Sequence, residues 1–323
     1  MPPANSAAVL TQTGEPTPQT LPAGLLRYML ATRPAFLSIT LVGVLLGMST
    51  AWFGGAIFKP LTALLTLIFA LAAHAGANVI NDYYDQAGDA ANTERVFPFT
   101  GGSRFIQNGV LSAREIMLLG YGLLAAVIPA GLWLSEQTGG GLIAIGVAGL
   151  LTGWAYSAPP LKLASRGLGE FAISTGWILV VVGSDFVQRG MFALLPLLTG
   201  LGFALLVAAV LYINQFPDTT ADAASGKRTI VVRLGRRRAI WGYLVLVLLA
   251  HVSVAIGIAS AVLPAPTFAV VVALPLSLAA MRELWRHAET PEKLAPAIKL
   301  TIAAAHLFGL LLTAALLYAK GNP

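Results

Sequence analysis

The chain has no cysteine among its 323 residues, and charged residues make up only 11% of it. Without thiols it can form neither a disulfide bond nor a thiolate metal site. Soluble domains carry about 25% charged residues, whereas hydrophobic residues account for 57% of this chain. The composition therefore excludes a soluble globular domain and predicts a protein that crosses a membrane several times.

Basic residues outnumber acidic ones and leave a formal net charge of +6. Such an excess can attract nucleic acid, but its distribution here is that of a membrane protein. Of the 20 lysines and arginines, 17 lie in the N-terminal region or after even-numbered hydrophobic spans, and only Lys59, Arg189 and Lys320 lie on the other side. Because positive charge is retained in the cytoplasm, we expect an inner (cell) membrane protein with a cytoplasmic N-terminus, an external C-terminus and no nucleic-acid partner.

The first 23 residues are rich in proline, threonine, alanine and glutamine and carry one charged side chain, Glu15. No basic segment precedes an apolar core here, so this is not a secretory signal. We expect residues 1–23 to form a disordered cytoplasmic tail and residues 24–323 to form a single transmembrane domain.

Nine hydrophobic spans follow, each near the roughly 20 residues that a helix needs to cross a bilayer. They cover residues 35–55, 60–82, 113–134, 141–157, 168–186, 191–214, 239–259, 264–284 and 295–318. The expected fold class is therefore all-α, a polytopic bundle of nine transmembrane helices capped by loops on the cytoplasmic side. The fourth span is short, and Pro275 predicts a kink in the eighth.

Two polar clusters end the second and sixth spans. Their members are Asn81, Asp82, Asp85 and Asp89 in the first cluster and Asn214, Asp218 and Asp222 in the second. In each, one asparagine and two aspartates are spaced i, i+4, i+8, which places them on one face if the helix continues. Asp185 alone among the six aspartates lies outside the clusters. Since the clusters lie four spans apart, we also expect two parallel four-helix repeats plus a ninth helix.

The spacing of the carboxylates indicates a cation site. Like charges one helical turn apart repel each other unless a cation lies between them. Magnesium prefers oxygen ligands, binds one or two carboxylates directly and completes its shell with water and phosphate. A solvated helix end explains one such cluster but not two with the same spacing. We therefore predict that all seven residues are candidate Mg²⁺ ligands at a diphosphate site, with catalytic roles for Asp85, Asp89, Asp218 and Asp222.

Basic side chains in the adjoining loops are candidates for binding the diphosphate. They are Lys162, Lys227, Arg228, Arg95 and Arg104. Arginine suits bidentate phosphate contact, and the Gly101-Gly102 pair permits close approach of the backbone to a ligand. An ordinary cytoplasmic turn is the alternative for that loop. Tyr156 and Lys162 lie on a proline-stiffened loop and are further catalytic candidates.

The order of these motifs resembles that of the UbiA-type intramembrane prenyltransferases. The motifs are Asn81-Asp82-x-x-Asp85-x-x-x-Asp89, Tyr156…Lys162 and Asp218-x-x-x-Asp222-x-x-x-Gly226-Lys227-Arg228-Thr229. The resemblance covers all nine spans. It implies nine helices around a central cavity, a polyprenyl diphosphate bound through Mg²⁺, and transfer of the prenyl group to an aromatic acceptor.

Other motifs are most similar to the menaquinone branch, whose acceptor is 1,4-dihydroxy-2-naphthoate. They are Thr100-Gly101-Gly102-Ser103-Arg104, Arg166-Gly167-Leu168-Gly169-Glu170 and Phe186-Val187-Gln188. The loop 156–162 is similar to the chlorophyll-synthase branch instead. Prenyl transfer to 4-hydroxybenzoate, homogentisate or a chlorophyllide-like ring therefore stays as an alternative to prenyl transfer to the naphthoate.

A cation-coupled membrane transporter is the alternative from another functional class. Transporter sites lie near the membrane midplane on broken helices, whereas both clusters here lie at one membrane face and precede basic loops. This arrangement favours an enzyme that handles phosphate. In the mechanism that the resemblance implies, the aspartates and Mg²⁺ neutralise the diphosphate, and Lys162, Lys227 and Arg228 stabilise the departing charge.

Overall fold

A computed structural model describes residues 14–322, and this part of the chain contains eleven α-helices and no strand. The helices are α1 (Leu25–Ala31), α2 (Pro34–Phe53), α3 (Pro60–Ala91), α4 (Ala113–Thr138), α5 (Gly141–Ser157), α6 (Gly169–Arg189), α7 (Leu194–Ala224), α8 (Ile230–Leu234), α9 (Arg236–Ala259), α10 (Leu274–His287) and α11 (Ala295–Gly321). Short 3₁₀ helices occupy Ala164–Arg166, Ala265–Ala273 and Pro291–Lys293.

Eight segments in residues 14–322 are long and apolar enough to cross a membrane. They are α2, α3, α4, α6, α7, α9, α11 and the combined segment Ala265–His287. They confirm the all-α membrane bundle. The remaining predicted span corresponds to α5, whose 17 residues extend about 26 Å at 1.5 Å per residue. Because this is slightly less than the roughly 30 Å hydrocarbon layer, the count of nine stays a prediction.

The eighth predicted span changes its helix type near Pro275. Residues Ala265–Ala273 form a 3₁₀ helix, and α10 begins at Leu274, immediately before the proline. Proline lacks a backbone N–H and its ring crowds the carbonyl four residues earlier. A continuous α-helix is therefore disfavoured at this position, in agreement with the predicted break.

Helices α3 and α7 are longer than a bilayer requires, with 32 and 31 residues. Each measures about 47 Å along its axis, so the last turns extend beyond the hydrocarbon layer. The spans predicted to end at residues 82 and 214 continue to Ala91 and Ala224. The predicted span ends were therefore too early, and both polar clusters lie entirely within helices. We call the end of the bundle where they lie the aspartate face.

The main core lies among α2, α6, α7, α9 and α11. Leu46, Phe203 and Phe308 are completely buried in it. Two buried tyrosines satisfy their hydroxyl groups internally: Tyr212 donates to the carbonyl of Ala239 at 2.7 Å, and Tyr243 lies 3.0 Å from the Thr301 hydroxyl. Large apolar side chains also remain exposed on the outer faces of the helices, as contact with lipid requires.

The segment 14–22 packs on the aspartate face. Leu21 is buried beside Phe105 and Ile116, and the Glu15 side chain is fully buried. Residues 1–13 of the predicted disordered tail lie outside the described residues. The division into a tail (1–23) and a transmembrane domain (24–323) stays a prediction. Within the described residues, Glu15 has arginine partners that local composition does not reveal.

Asp185 belongs to a buried ion pair at the opposite end of the bundle. Its carboxylate accepts hydrogen bonds from Arg189 at 2.7 and 2.8 Å and from the Thr50 hydroxyl at 2.8 Å. Arg189 also donates to the Thr50 carbonyl at 2.9 Å. These contacts join α6 to α2, which gives Asp185 a structural role away from the clusters.

Candidate active site

A cavity of about 660 Å³ is surrounded by the six helices α2, α3, α4, α5, α6 and α7. Its wall is mostly apolar and includes Phe69, Ile128, Leu150, Trp177 and Val210. Its polar end is at the aspartate face. Six of the seven predicted metal ligands line this end: Asn81, Asp85, Asp89, Asn214, Asp218 and Asp222. The two helical clusters thus face one compartment that continues into a hydrophobic region.

Lys227 connects the two clusters. Its Nζ lies 3.1 Å from Asp85 Oδ2 and 3.2 Å from Asp222 Oδ1. The turn after α7 positions it, since the Lys227 N–H donates to the Asp222 carbonyl at 2.8 Å. Burial opposes the charge of Lys227, but Asp85, Asp222 and Asp89 raise its pKa above the ordinary value. The lysine therefore stays protonated and offsets part of the repulsion between the clusters.

Asparagine side chains orient two of the carboxylates. Asn81 donates to Asp85 Oδ2 at 2.8 Å and to the Ser157 hydroxyl at 2.9 Å, which joins α3 to α5. Asn92, which follows α3, donates to Asp218 Oδ1 on α7. The Asn81 contact fixes the Asp85 carboxylate within α3, and the Asn92 contact joins the end of α3 to the Asp218 carboxylate of α7.

Residues 92–104, which we call the cluster loop, close over the first cluster. Gly102 has φ +72°, and a Cβ built on it would lie 2.2 Å from Asp89 Oδ2. The next backbone N–H, that of Ser103, donates to Asp82 Oδ1 at 3.2 Å. Thr100 hydrogen-bonds Asp218. The loop therefore touches carboxylates of both clusters, and only glycine fits where it meets Asp89.

The donor set fits a divalent cation such as Mg²⁺. Asp85, Asp89, Asp218 and Asp222 line the polar end with a single lysine between them, so negative charge remains in excess. The buried Oδ1 of Asn214 has no hydrogen-bond partner. Within residues 14–322 no three Asp, Glu or His side chains converge as in a closed metal site. Magnesium does not need such a site, because water and phosphate complete its shell.

Asp82 is the predicted ligand that does not line the cavity. It lies one residue after Asn81 on α3, which turns its side chain about 100° away from the clustered face. It is 2% exposed and accepts the hydrogen bond from Ser103. Its position favours support of the cluster loop over direct contact with a ligand in the cavity.

The predicted basic residues are placed in two groups. Lys227 lines the cavity, whereas Lys162, Arg228, Arg95 and Arg104 do not. Lys162 and Arg228 are exposed. Arg95 and Arg104 are buried and directed toward Glu15, and Arg104 also donates to the Asp89 carbonyl. Tyr156, at the end of α5, lines the cavity as its predicted role requires.

Asn92 and Arg33 also line the cavity, although the predicted site did not include them. Asn92 lies three residues after Asp89, and its amide continues the polar pattern of the first cluster. Arg33 precedes α2 and lines the cavity beside Phe36, with its guanidinium carbon 4.8 Å from the ring centre. In the sequence it is indistinguishable from the other basic residues near membrane helix ends, so only the packing of α2 beside α3 reveals it.

Comparison with known proteins places these features in a family context. The model of the UbiA prenyltransferase family matches residues 36–303. Over 213 residues the chain is 30% identical to the 1,4-dihydroxy-2-naphthoate octaprenyltransferase of Escherichia coli (strain K12), covering 63% of this chain and 67% of the relative. It is 26% identical over 308 residues to the enzyme of the same name from Bacillus subtilis (strain 168), covering 94% and 96%.

A solved structure shares the fold. The structure of a UbiA homolog from Archaeoglobus fulgidus bound to DMAPP and Mg²⁺ matches with a TM-score of 0.65 at 18% identity, over 92% of this chain and 100% of the other. At this identity the match supports the arrangement of helices alone.

Proposed function

The chain belongs to the UbiA prenyltransferase family and is a prenyltransferase, and on that premise we propose that it transfers a polyprenyl group from a polyprenyl diphosphate to 1,4-dihydroxy-2-naphthoate. The observation that carries the proposal is the single cavity with aspartate clusters from α3 and α7 at one end and an apolar wall beyond them. Such a cavity suits a molecule with an anionic head and a long hydrocarbon tail. The relatives named for naphthoate prenylation support the acceptor.

The clusters would hold Mg²⁺ through Asp85, Asp89, Asp218 and Asp222, with Asn81 and Asn214 as additional oxygen donors. When bound, the metal would neutralise the diphosphate as it departs. Lys227 adds a fixed positive charge between the clusters. We further propose that the exposed Lys162 and Arg228 approach the diphosphate as it enters.

The charged end and the apolar wall of the cavity suit different parts of the reaction. The allylic C–O bond of the donor breaks, and its electron pair leaves with the diphosphate at the charged end. The apolar wall excludes water, which would otherwise capture the allylic cation, and Trp177 offers an aromatic face to it. The aromatic carbon of the acceptor that carries the carboxylate then forms the new C–C bond. Its carboxyl group leaves as carbon dioxide, and the electron pair of the broken C–C bond restores the aromatic ring. Tyr156, beside the clusters, is positioned to orient the reacting groups.

The acceptor is tested with purified enzyme, one labelled polyprenyl diphosphate and a panel of aromatic acids. We expect a labelled, prenylated product from 1,4-dihydroxy-2-naphthoate in preference to 4-hydroxybenzoate, homogentisate and a chlorophyllide-like ring. Mass spectrometry identifies the product. Preferred use of another acceptor would reject the naphthoate assignment, while cation-coupled uptake into vesicles without prenyl transfer would favour the transporter.

The membrane orientation is part of the proposal. The bias of basic residues supports a cytoplasmic aspartate face, a cytoplasmic N-terminus and an external C-terminus in the cell membrane. Cysteine accessibility provides a direct test, because the natural chain contains no cysteine. A single cysteine replacing Glu289 should react with a membrane-impermeant thiol reagent only in inverted vesicles. Labelling in intact cells would show that the protein has the opposite orientation.

A further inference from the structure

Glu15 is a buried carboxylate that the proposed reaction does not use. Its Oε1 accepts a hydrogen bond from Arg95 Nε at 2.7 Å, and its Oε2 accepts one from Asn108 at 3.1 Å. Arg104 Nε lies 3.8 Å from Oε2. The side chain of Glu15 has no exposed surface, and those of Arg95 and Arg104 are 6% and 1% exposed. A residue near the N-terminus is thus inserted between two arginines of the cluster loop.

These arginines hold the part of the cluster loop that touches the carboxylates. Arg95 Nη1 donates to the Asn92 carbonyl at 2.8 Å, and Arg104 donates to the carbonyl of Asp89. Between them lie Gly102, against the Asp89 carboxylate, and the backbone N–H that binds Asp82. The position of the loop therefore controls how carboxylates of the first cluster are presented to the cavity.

The charge of Glu15 is required for this arrangement. Burial alone would raise the pKa of Glu15, but hydrogen bonds from Arg95 and Asn108 hold it below the ordinary value. The carboxylate is therefore ionised at neutral pH. Without it, the two buried guanidinium groups would still repel each other and would lose the carboxylate that both approach, which is costly in a site of low dielectric constant.

Additional contacts keep Glu15 in place. Asn108 also donates to the Pro16 carbonyl at 2.9 Å, and Arg27 donates to the Leu21 carbonyl at 2.8 Å and to the Val110 carbonyl at 3.0 Å. The segment 14–22 is thus attached to the residues that follow the cluster loop and to α1. It is a strap across the aspartate face.

We propose that Glu15 is a positioning residue for the metal and diphosphate site: through Arg95 and Arg104 it holds the cluster loop against Asp82 and Asp89. Under this proposal Arg95 and Arg104 act on the loop, and the diphosphate does not contact them directly. The effect on metal and donor use rests on the proposed function, whereas the effect on the loop does not.

The first test measures the loop itself by amide hydrogen exchange of the full chain in detergent or nanodiscs, without added ligand. Glu15→Gln keeps the size of the side chain and removes its charge. We expect amides of residues 95–104 to exchange at least about tenfold faster in this variant. Exchange in the spans distant from the aspartate face should not change.

The second test measures how turnover depends on Mg²⁺. Residues that orient metal ligands commonly affect metal affinity about 10- to 100-fold. We expect Glu15→Gln to raise the Mg²⁺ concentration for half-maximal turnover by about tenfold and to raise the donor KM, with the acceptor KM unchanged. Excess Mg²⁺ should restore most of the turnover.

Glu115→Gln is the matched control. Glu115 lies on the same face, accepts a hydrogen bond from Tyr28 at 2.8 Å and completes the N-terminal cap of α4 with Ser112, but it does not touch the cluster loop. It should alter exchange at the start of α4 and leave residues 95–104 and the Mg²⁺ dependence unchanged. If Glu15→Gln does not fold, Arg95→Lys, which keeps the charge and loses the Nε contact, should accelerate loop exchange in the same way.

Three results would overturn the inference: unchanged exchange in residues 95–104, a uniform acceleration throughout the protein, or an unchanged Mg²⁺ dependence in an active variant. The first two concern the strap alone. Failure of the wild-type protein to prenylate any acceptor would instead reject the proposed function, and the exchange measurement would still test whether Glu15 holds the loop.

Discussion

Single side chains at the aspartate face show how a carboxylate-rich cavity is kept intact. Lys227 lies within 3.2 Å of carboxylates from both clusters, and the Asn81 and Asn92 amides bind one carboxylate each. These donors offset some repulsion, but one lysine cannot neutralise four aspartates. The remaining negative charge would attract divalent cations, and these cations would in turn bind a diphosphate.

The carboxylates lining the cavity should be required for turnover. We expect Asp85→Asn and Asp218→Asn to lower kcat by at least about two orders of magnitude, since removal of one preorganised electrostatic group commonly has this effect. Both variants should fold, because they relieve repulsion. Initial rates and thermal unfolding measure the two effects.

Asp185→Asn is the matched control for these substitutions. It breaks the buried pair with Arg189, so the free energy of unfolding should fall by about 3 kcal/mol. The kcat of the folded fraction should not change. If the Asp185→Asn variant is stable but inactive and the cluster variants are fully active, the active site lies at the Asp185 end of the bundle and not at the aspartate face.

Lys227 and its exposed neighbour Arg228 allow a comparison of two adjacent cations. We expect Lys227→Met to lower kcat/KM for the donor by about 10²-fold or more, as loss of a charge at a phosphoryl site does, and to leave the acceptor KM within about threefold. Arg228→Met should lower kcat/KM for the donor by less than about tenfold. A two-substrate kinetic matrix separates these effects, and a larger loss with Arg228→Met would assign the main contact to the exposed residue.

Among the structural elements, the helical extensions of α3 and α7 and the cluster loop together form the site. The extensions present carboxylates once per turn on one face, and the loop closes on them through the backbone at Gly102. Neither element forms the site alone, because the clusters belong to different helices and the loop contacts both.

The contact at Gly102 should tolerate no side chain. Gly102→Ala adds a Cβ that would lie 2.2 Å from Asp89 Oδ2, so we expect about a tenfold or greater loss of kcat/KM for the donor. Gly109→Ala is the matched control, because its φ is +68° but nothing lies within 4 Å of the added Cβ. It should show the cost of a left-handed backbone, about 1–2 kcal/mol, with unchanged kinetics. Equal kinetic losses would mean that backbone strain alone causes the defect.

The pair of clusters also predicts dependence on a divalent metal. Turnover should be lost in excess chelator and restored by Mg²⁺, because the carboxylates cannot neutralise a diphosphate without a cation. Initial rates in a chelator titration measure this. Full turnover in excess chelator would mean that Lys227 and the other basic residues neutralise the diphosphate without a metal ion.

The molecule as a whole combines a charged compartment with an apolar one inside a membrane bundle. The cavity of about 660 Å³ extends from the aspartates to Leu134 and Leu142, near the opposite end of α4 and the start of α5. Gly146 and Gly149 of α5 lie on its wall, and nothing is within 4 Å of a Cβ built on either. This space is suited to the donor's hydrocarbon chain.

The open wall of α5 should limit the length of the donor. We expect Gly149→Phe to reduce kcat/KM at least about tenfold for long polyprenyl diphosphates and to spare a C10 donor, because the ring fills space that only a long chain needs. Gly122→Phe on α4 is the control, since Gly122 is exposed, has nothing within 4 Å and does not line the cavity. Rates with donors of increasing length provide the test, and equal losses at all lengths would mean that the tail does not use this wall.

The membrane bundle and the two clusters follow from the sequence alone, because both depend on local pattern. Hydrophobic runs specify helices wherever backbone groups must be satisfied in lipid, and i, i+4, i+8 spacing specifies a helix face. Which basic residues line the cavity depends on how the helices pack. Arg33 and Lys227 line it, while Arg95 and Arg104 bind Glu15, and these pairings join residues up to 89 positions apart in the chain. The sequence gives the charge of each side chain, but the partner of that side chain depends on packing between distant segments. Packing therefore distinguishes an arginine that lines the cavity from one that binds Glu15.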